Sequence, residues 1–278
     1  MFSRPTLLKQ IVILAHHFLA VSIALLTLPA SAHEPKAPDS GGSPRPKVLV
    51  YSNTAYYRHP DIPGINRWLV LLGHEHGIDV DITEHAKDLM PKVLEKYDVL
   101  LFNNANQLGD LIPKEQQEAV QTWFATGKGI VGIHAALVKQ DGWPWLMELA
   151  GCDFNSDSDF SKAKVIVDPA GKDHPSVKGQ SADFWIEADW TNHTRAVTGL
   201  PGFQVLLRVD ESTYTPVRDY FKTRGGKAMG ADHPIAWTHE PKGGGRFFYT
   251  EFGHDLRSLS APFARQHIIE GIKWASGK

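Results

Sequence analysis

The chain has 278 residues, 42% hydrophobic and 22% charged, with 29 Lys and Arg against 31 Asp and Glu and a net charge of −2. So mild an acidic balance argues against nucleic acid as a partner, which calls for a basic surface. A single cysteine, Cys152, leaves no pair for an internal disulfide, so stability has to come from the packed core.

In chain order, Arg4 and Lys9 precede the apolar run "IVILAHHFLAVSIALLTLPA", which ends at Ala30-Ser31-Ala32. A basic start, an apolar stretch and a small-residue end read as a secretory signal peptide over residues 1–32, cleaved near Ala32. The alternative is an N-terminal membrane anchor, because the run approaches the length that spans a bilayer. His16 and His17 inside the run and Pro29 near its end favour cleavage. Cleavage removes two basic residues and no acidic one, which takes the net charge to about −4. The product is expected to be periplasmic or secreted, with no membrane span in the mature chain. Residues 33–46, "HEPKAPDSGGSPRP", lack apolar periodicity and read as a disordered tether. Residues 47–278 then suffice for one α/β domain with a single core.

From Lys47 the chain alternates strands and helices. "KVLVYS", "IDVDIT", "YDVLLFNN" and "GIVGI" read as strands, and "IPGINRWLVLLGHEH" and "IPKEQQEAVQTWFATGKG" as helices that open at proline. A further helix is expected to start at the alanines after His134. Four strand-then-helix units imply parallel strands covered on both faces, a doubly wound three-layer sandwich with a mostly parallel sheet. The second half is less regular: "AKVIVD", "FQVLLRVD", "PIAWTHE" and "RFFYTEFG" read as strands that extend the sheet in mixed orientation, with a hairpin at "GGG" before Arg246. "ESTYTPVRDYFKTRGGKAMGADH" has no period and reads as a long loop, of a kind that is usually mobile or part of a site. "APFARQHIIEGIKWAS" closes the chain as a helix burying Phe263, Ile268, Ile272 and Trp274 or part of that set.

In an open parallel sheet, ligands bind beyond the carboxyl ends of the strands. The polar residues expected there are Asn53, Tyr56, Arg58 and His59 after the first strand and Asn103, Asn104 and Asn106 after the third. His134 follows the fourth, and Glu251 and His254 follow the last. Histidine titrates near neutrality, and its neutral ring is also a metal ligand, so this cluster is a candidate for proton transfer or metal binding. The plain alternative for His134 is a buried ring bonded to backbone. There is no HExxH, no paired CxxC and no EF-hand loop. A divalent ion such as zinc is therefore suggested by composition alone, with His59, His134, His254 and Glu251 as candidate ligands.

The other histidines read as structural. His74, His76 and His85 are expected to face solvent, His239 to precede a turn, His267 to pack on the last helix and His174-Pro175 to form a rigid turn. Neither "GGKAMG" nor "GGGR" follows a strand and opens a helix, so no phosphate or dinucleotide site is read there. Trp143, Trp145 and Trp190 offer flat faces for a sugar ring, although core packing is the commoner use of tryptophan.

"YRHPDIP", "GKGIVGIHAAL" with "DGWPWLMELAGCDF", "VDESTY", "DHPIAWTHE", "GGGRFFYTEFGHD" and "FARQHIIEGIKWA" together resemble the ThuA-like family, named for trehalose utilisation. The likeness runs from Lys47 to Ala275. It implies a fold similar to the flavodoxin-like, class I glutamine amidotransferase-like group. Amidotransferases of that group carry a cysteine nucleophile at the strand-to-helix elbow, where this chain has His134. With Cys152 downstream, a thiol-dependent glutaminase is not expected. The resemblance carries the family's recurrent polar positions onto Arg58, His59, His134, His233 and His254, with Asp189 near the place where the family tends to have an acidic pair before Trp190, a pair that is reduced here in "EADW". A family histidine after "AGCDF" is missing, and Asp157 or Asp159 stands nearby to replace it.

These readings lead to a carbohydrate-processing protein, expected to be an enzyme on a disaccharide, glycoside or oxidised sugar. His134, His254, His59 and Asp189 are the catalytic candidates. Arg58, Tyr56, Asn104, Trp143, Trp190 and His233 are the candidates for holding a small-molecule carbohydrate. A two-carboxylate glycosidase is less attractive, because no facing pair stands out. A non-catalytic sugar-binding module and an interaction scaffold with a degenerate site are the alternatives.

Overall fold

The computed structural model describes residues 44–278; the expected signal peptide and most of the tether lie outside the described residues. The first half builds β1 (Lys47–Tyr51), α1 (Ile62–Glu75), β2 (Asp79–Thr83), α2 (Pro91–Leu94), β3 (Val99–Asn103), α3 (Lys114–Ala125), β4 (Gly129–Ile133) and α4 (Pro144–Ala150). The second half adds β5 (Phe154–Asp157), β6 (Ser161–Val167), β7 (Asp183–Ala188), β8 (Thr191–His193), β9 (Phe203–Val209), α5 (Asp219–Lys222), β10 (Pro234–His239), β11 (Arg246–Thr250) and α6 (Pro262–Ser276).

Nine strands form one sheet in the order β2-β1-β3-β4-β11-β10-β9-β6-β7. The first five in that order are mutually parallel, and each pairing from β11 to β7 is antiparallel. β3 and β4 are buried at every position and β1 at all but its first, as strands covered on both faces must be. Their alternate side chains feed two separate layers. Val48, Val50, Val99, Leu101, Val131 and Ile133 pack with Leu69 of α1 and Ile268 and Ile272 of α6. Leu49, Tyr51, Leu100, Phe102 and Ile130 pack on the other face with Val120 and Phe124 of α3 and Leu146 of α4. This is the expected three-layer sandwich, extended by antiparallel strands on one side. The edge strands carry exposed charges, Asp79 and Asp81 on β2 and Asp183 and Glu187 on β7, which discourages pairing with another chain.

Three features depart from the sequence reading. After β4 the chain makes only one 3-10 turn, His134–Leu137, and then a short α4. His134 and Lys139 both have left-handed backbone, φ 48° and 53°, which a helix cannot continue through. β5, β7 and β8 were not legible, because "FNSD" and "TNH" have no apolar run and β7 is a half-exposed edge. The long loop contains a 3-10 turn, Glu211–Thr213, and the four-residue α5. No helix among the described residues is long and apolar enough to cross a membrane.

Phe248 on β11 is fully buried between sheet and α6, with its ring 5.2 Å from that of His267. Phe248→Ala should cost roughly 3–5 kcal/mol in urea denaturation; a loss below about 1 kcal/mol would mean that α6 does not cover this core.

Candidate functional site

A cavity of about 280 Å³ lies beyond the carboxyl ends of the parallel strands, and His59, His134 and His254 all line it. Each is placed by a different local device. His134 directly follows β4 in a left-handed conformation that is uncommon for a residue with a side chain and is often found at functional turns. The Tyr249 hydroxyl donates to its carbonyl at 2.9 Å, holding the elbow to β11. His254 is reached through Gly253, whose φ is 122° and where a Cβ would come within 2.5 Å of Ile133, so only glycine fits. The Gly253 carbonyl is held in turn by Asn104 Nδ2 at 2.9 Å. His59 follows a loop clamped by the Asn106 side chain, which accepts from the Tyr56 and Tyr57 N–H groups and donates to the Tyr57 carbonyl at 2.7 Å.

Asp189 arrives from the other side, at the corner between β7 and β8. The buried Glu251 carboxyl accepts the Thr191 N–H, tying β8 to the end of β11. Burial foremost, and then the charge of Asp189, raise Glu251 well above its ordinary value, which favours its neutral form in this structural role.

The three imidazoles pack face to edge or tilted, with centroids 4.8–4.9 Å apart. His59 Nε2 and His134 Nε2 are 3.2 Å apart. One nitrogen from each of the three rings lies within 4.8 Å of the others. Asp189 Oδ2 accepts from His254 Nδ1 at 2.6 Å and is 3.8 Å from His134 Nε2. Burial, followed by the neighbouring His134 and His254, pushes His59 down to about 2. Burial and then His254 hold His134 well below its ordinary value. His254 goes the other way: burial pulls it down, but the hydrogen bond and charge of Asp189, with Asp255 and Asp157, outweigh that and raise it.

The result is two neutral rings with lone pairs to offer beside a third ring that shares a proton with a carboxylate. A tetrahedral zinc ion with bonds of about 2.0–2.1 Å to nitrogen spaces its ligands about 3.3 Å apart, close to the 3.2 Å between His59 and His134. A ligating histidine that donates its second N–H to a carboxylate is the usual outer support of such a site, and His254 has that support in Asp189.

The remaining sequence candidates divide. Tyr56 lines the cavity and is half exposed. Arg58 turns away to an ion pair with Glu84 and to the Ser52 carbonyl. Asn104 is buried behind the site, where it bonds Asn103 and Gly253. Trp143 and Trp190 are fully buried and present no ring face to the cavity. His233 is buried between Glu211 and the Thr191 carbonyl, each at 2.8 Å, so it braces the long loop against β8. Glu251 points to Thr191 and is not in the three-histidine group.

The sequence reading missed Tyr57, Thr191, Arg218, Tyr220 and Phe221, which also line the cavity. The signal available was the long aperiodic segment that carries three of them. Of the two carboxyls proposed to replace the absent histidine, Asp157 lines the cavity with Arg218 Nη2 donating to it at 3.1 Å, and Asp159 is exposed. Burial raises Asp157 to about 6 against the pull of Arg218. Cys152 is buried, and burial raises its thiol far above the ordinary value, which removes its nucleophilic form.

A family sequence profile described as trehalose utilisation, ThuA, matches residues 47–275. The chain belongs to the ThuA family. A ThuA-like protein from Bacteroides uniformis superposes with a TM-score of 0.69 at 21% identity, over 86% of this chain and 95% of that one. A ThuA-like protein from Parabacteroides merdae gives 0.63 at 19%, over 84% and 91%. A GMP synthase protein from Thermoplasma acidophilum gives 0.50 at 12%, over 85% and 96%. ThuA-like and class I glutamine amidotransferase-like proteins thus share this fold. Among proteins of curated function, none matches the sequence.

This ThuA-family chain buries many of its imidazoles. Burial is the chief cause holding His59, His134, His174, His193, His239 and His267 below the ordinary histidine value of 6.5. Their contribution is present above that value and is lost as pH falls below it, because the unfolded chain takes up protons that the folded chain refuses. His254 has the opposite sign, its contribution being full below 6.5 and lost as pH rises through its raised value. Asp153, Asp157 and Glu251, raised by burial, offset only part of the acid loss. Metal-free protein should therefore lose stability from pH 7 to pH 5, by about 1.4 kcal/mol per pH unit for each net proton. A melting temperature that climbs as the pH is lowered over this interval would contradict the assignment.

Proposed function

We propose that this ThuA-family chain is a carbohydrate-processing enzyme that acts on a disaccharide, glycoside or oxidised sugar, with His59, His134 and His254 as its chemical centre. The observation that carries the reading is the convergence of three imidazole nitrogens within 4.8 Å of one another inside a cavity, at the strand ends where such folds place ligands. The family description, trehalose utilisation, supports a sugar as the substrate class. So does the rim: Tyr56, Tyr57 and Tyr220 are about half exposed, and such rings present an apolar face with a polar edge, as a sugar ring does in return.

The three imidazoles suit a divalent ion such as zinc, because burial favours the neutral form of two, whose Nε2 atoms are 3.2 Å apart, and the third is oriented by Asp189. Such an ion would polarise a sugar oxygen or make a water more acidic. In the alternative without an ion, the His254–Asp189 pair is the one that takes or returns a proton at the sugar. Asp157 and Arg218 offer hydrogen bonds to hydroxyls on the facing wall. A secreted or periplasmic location is part of the same proposal and rests on the signal-peptide reading of residues 1–32.

Elemental analysis of protein purified without chelator, with turnover assays on trehalose, other disaccharides and their oxidised derivatives, tests the reading. His134→Asn is the informative variant, since asparagine tolerates left-handed backbone. Near-stoichiometric transition metal is expected in the wild type and not in the variant. Turnover should fall by about 10²–10⁴-fold with the circular dichroism spectrum unchanged. Sugar binding without turnover of any sugar would instead assign a binding module.

A further inference from the structure

The aromatic wall of the cavity carries cations that the proposed chemistry leaves unused. Lys139 Nζ lies 4.1 Å from the centroid of the Tyr56 ring, and the Arg224 guanidinium lies 4.0 Å from that of Tyr220. Both tyrosines line the cavity and are about half exposed. The Arg218 guanidinium, itself part of the lining, lies 4.8 Å from the Phe221 ring.

These cations are held by their surroundings rather than left free on the surface. Lys139 has left-handed backbone, φ 53°, and its N–H is fixed by Asp153 Oδ1 at 2.9 Å. That conformation is uncommon for a residue with a side chain and gathers at ligand sites. Arg224 Nη1 donates to the Tyr220 carbonyl at 2.7 Å, which leaves Nε and Nη2 for a ligand. Donors fixed in advance lose less freedom on binding.

Their charge is also unbalanced. Residues 218–227, "RDYFKTRGGK", hold four basic residues against one acidic, on a chain whose net charge is −2. Arg218 pairs with Asp157 and Lys222 with Asp219, whereas neither Lys139 nor Arg224 has an ion-pair partner among the described residues. Asp157 is the one carboxylate in the cavity lining, and Arg218 already takes it. Cations beside aromatic walls focus their field into a cleft, and their hydrogen bonds to a carboxylate are about twice as strong as those to a neutral group. Lysine and arginine offer donors only, which an acceptor-only carboxylate matches.

We infer that the mouth of the cavity recognises a ligand bearing a carboxylate, through the cations of its rim, Lys139 and Arg224. The charge follows from the rim itself; that the carboxylate sits on a sugar rests on the proposed function. Together they select sugar acids over neutral sugars.

Ligand-observed NMR titration of the full chain tests this, with glucose as the neutral probe, glucuronate as the sugar acid and cyclohexanecarboxylate as a carboxylate without a sugar. At low ionic strength glucuronate should bind ~10-fold more tightly than glucose. That advantage should shrink in about 0.5 M salt. Lys139→Gln and, independently, Arg224→Gln should each cut it several-fold and leave glucose affinity within about twofold, while Lys139→Arg keeps it. Equal affinity for glucose and glucuronate overturns the anion site, and so does an advantage that survives both glutamine variants. Equal losses for both probes assign the two cations to support of the tyrosine rings and overturn it as well. Binding of cyclohexanecarboxylate with neither sugar upholds the anion site and removes the sugar reading; binding of no probe removes both.

Discussion

A chain of buried amide hydrogen bonds underlies the site. Asn66 Nδ2 donates to Ser52 Oγ at 2.9 Å, Asn103 Nδ2 to Asn66 Oδ1 at 2.8 Å, and Asn104 Nδ2 to both Asn103 Oδ1 and the Gly253 carbonyl. It joins the end of β1, the first helix, the end of β3 and the turn that leads to His254. Every member is buried, so each unmade bond would cost about 1–3 kcal/mol with no water to replace it. Loops at strand ends are ordinarily the freest part of such a sheet. Here they are locked, and histidines from distant segments meet at hydrogen-bond distance because of it.

That lock makes an otherwise costly arrangement tolerable. Three imidazoles cannot all be charged at this spacing, and burial already disfavours the charged form. The protein eases the conflict through environment: burial disfavours the charged forms of His59 and His134, while Asp189 favours that of His254. One residue type thus serves as both lone-pair donor and proton carrier, separated only by environment.

Much of this was legible in the sequence. The parallel strands read clearly because a strand covered on both faces must be apolar throughout, and α1, α3 and α6 because one apolar face repeats at the helical period. His134 stood out as a lone polar residue closing an apolar run, and His254 as the residue after a strand and a glycine. The polar strands β5 and β8 had no such signal, since "FNSD" is only partly buried and "TNH" is buried without any apolarity of its own. Trp143 and Trp190 misled for the complementary reason: an indole can serve a core or a sugar, and burial tells which.

The sequence alone determined the local periods, the turn chemistry and the residue types available at the strand ends, because these depend on neighbours a few positions apart. Tertiary structure decided which of those residues meet. His59, His134, Asp189 and His254 are separated by tens of residues, and their convergence depends on strand order and loop anchoring, which no local pattern encodes. The same is true of Arg58, drawn off by Glu84, and of Arg218, brought in by a loop with no period of its own. Proton sharing between His254 and Asp189 is likewise a tertiary property, because a pKa responds to burial and to charges a few ångströms away, whatever their distance along the chain.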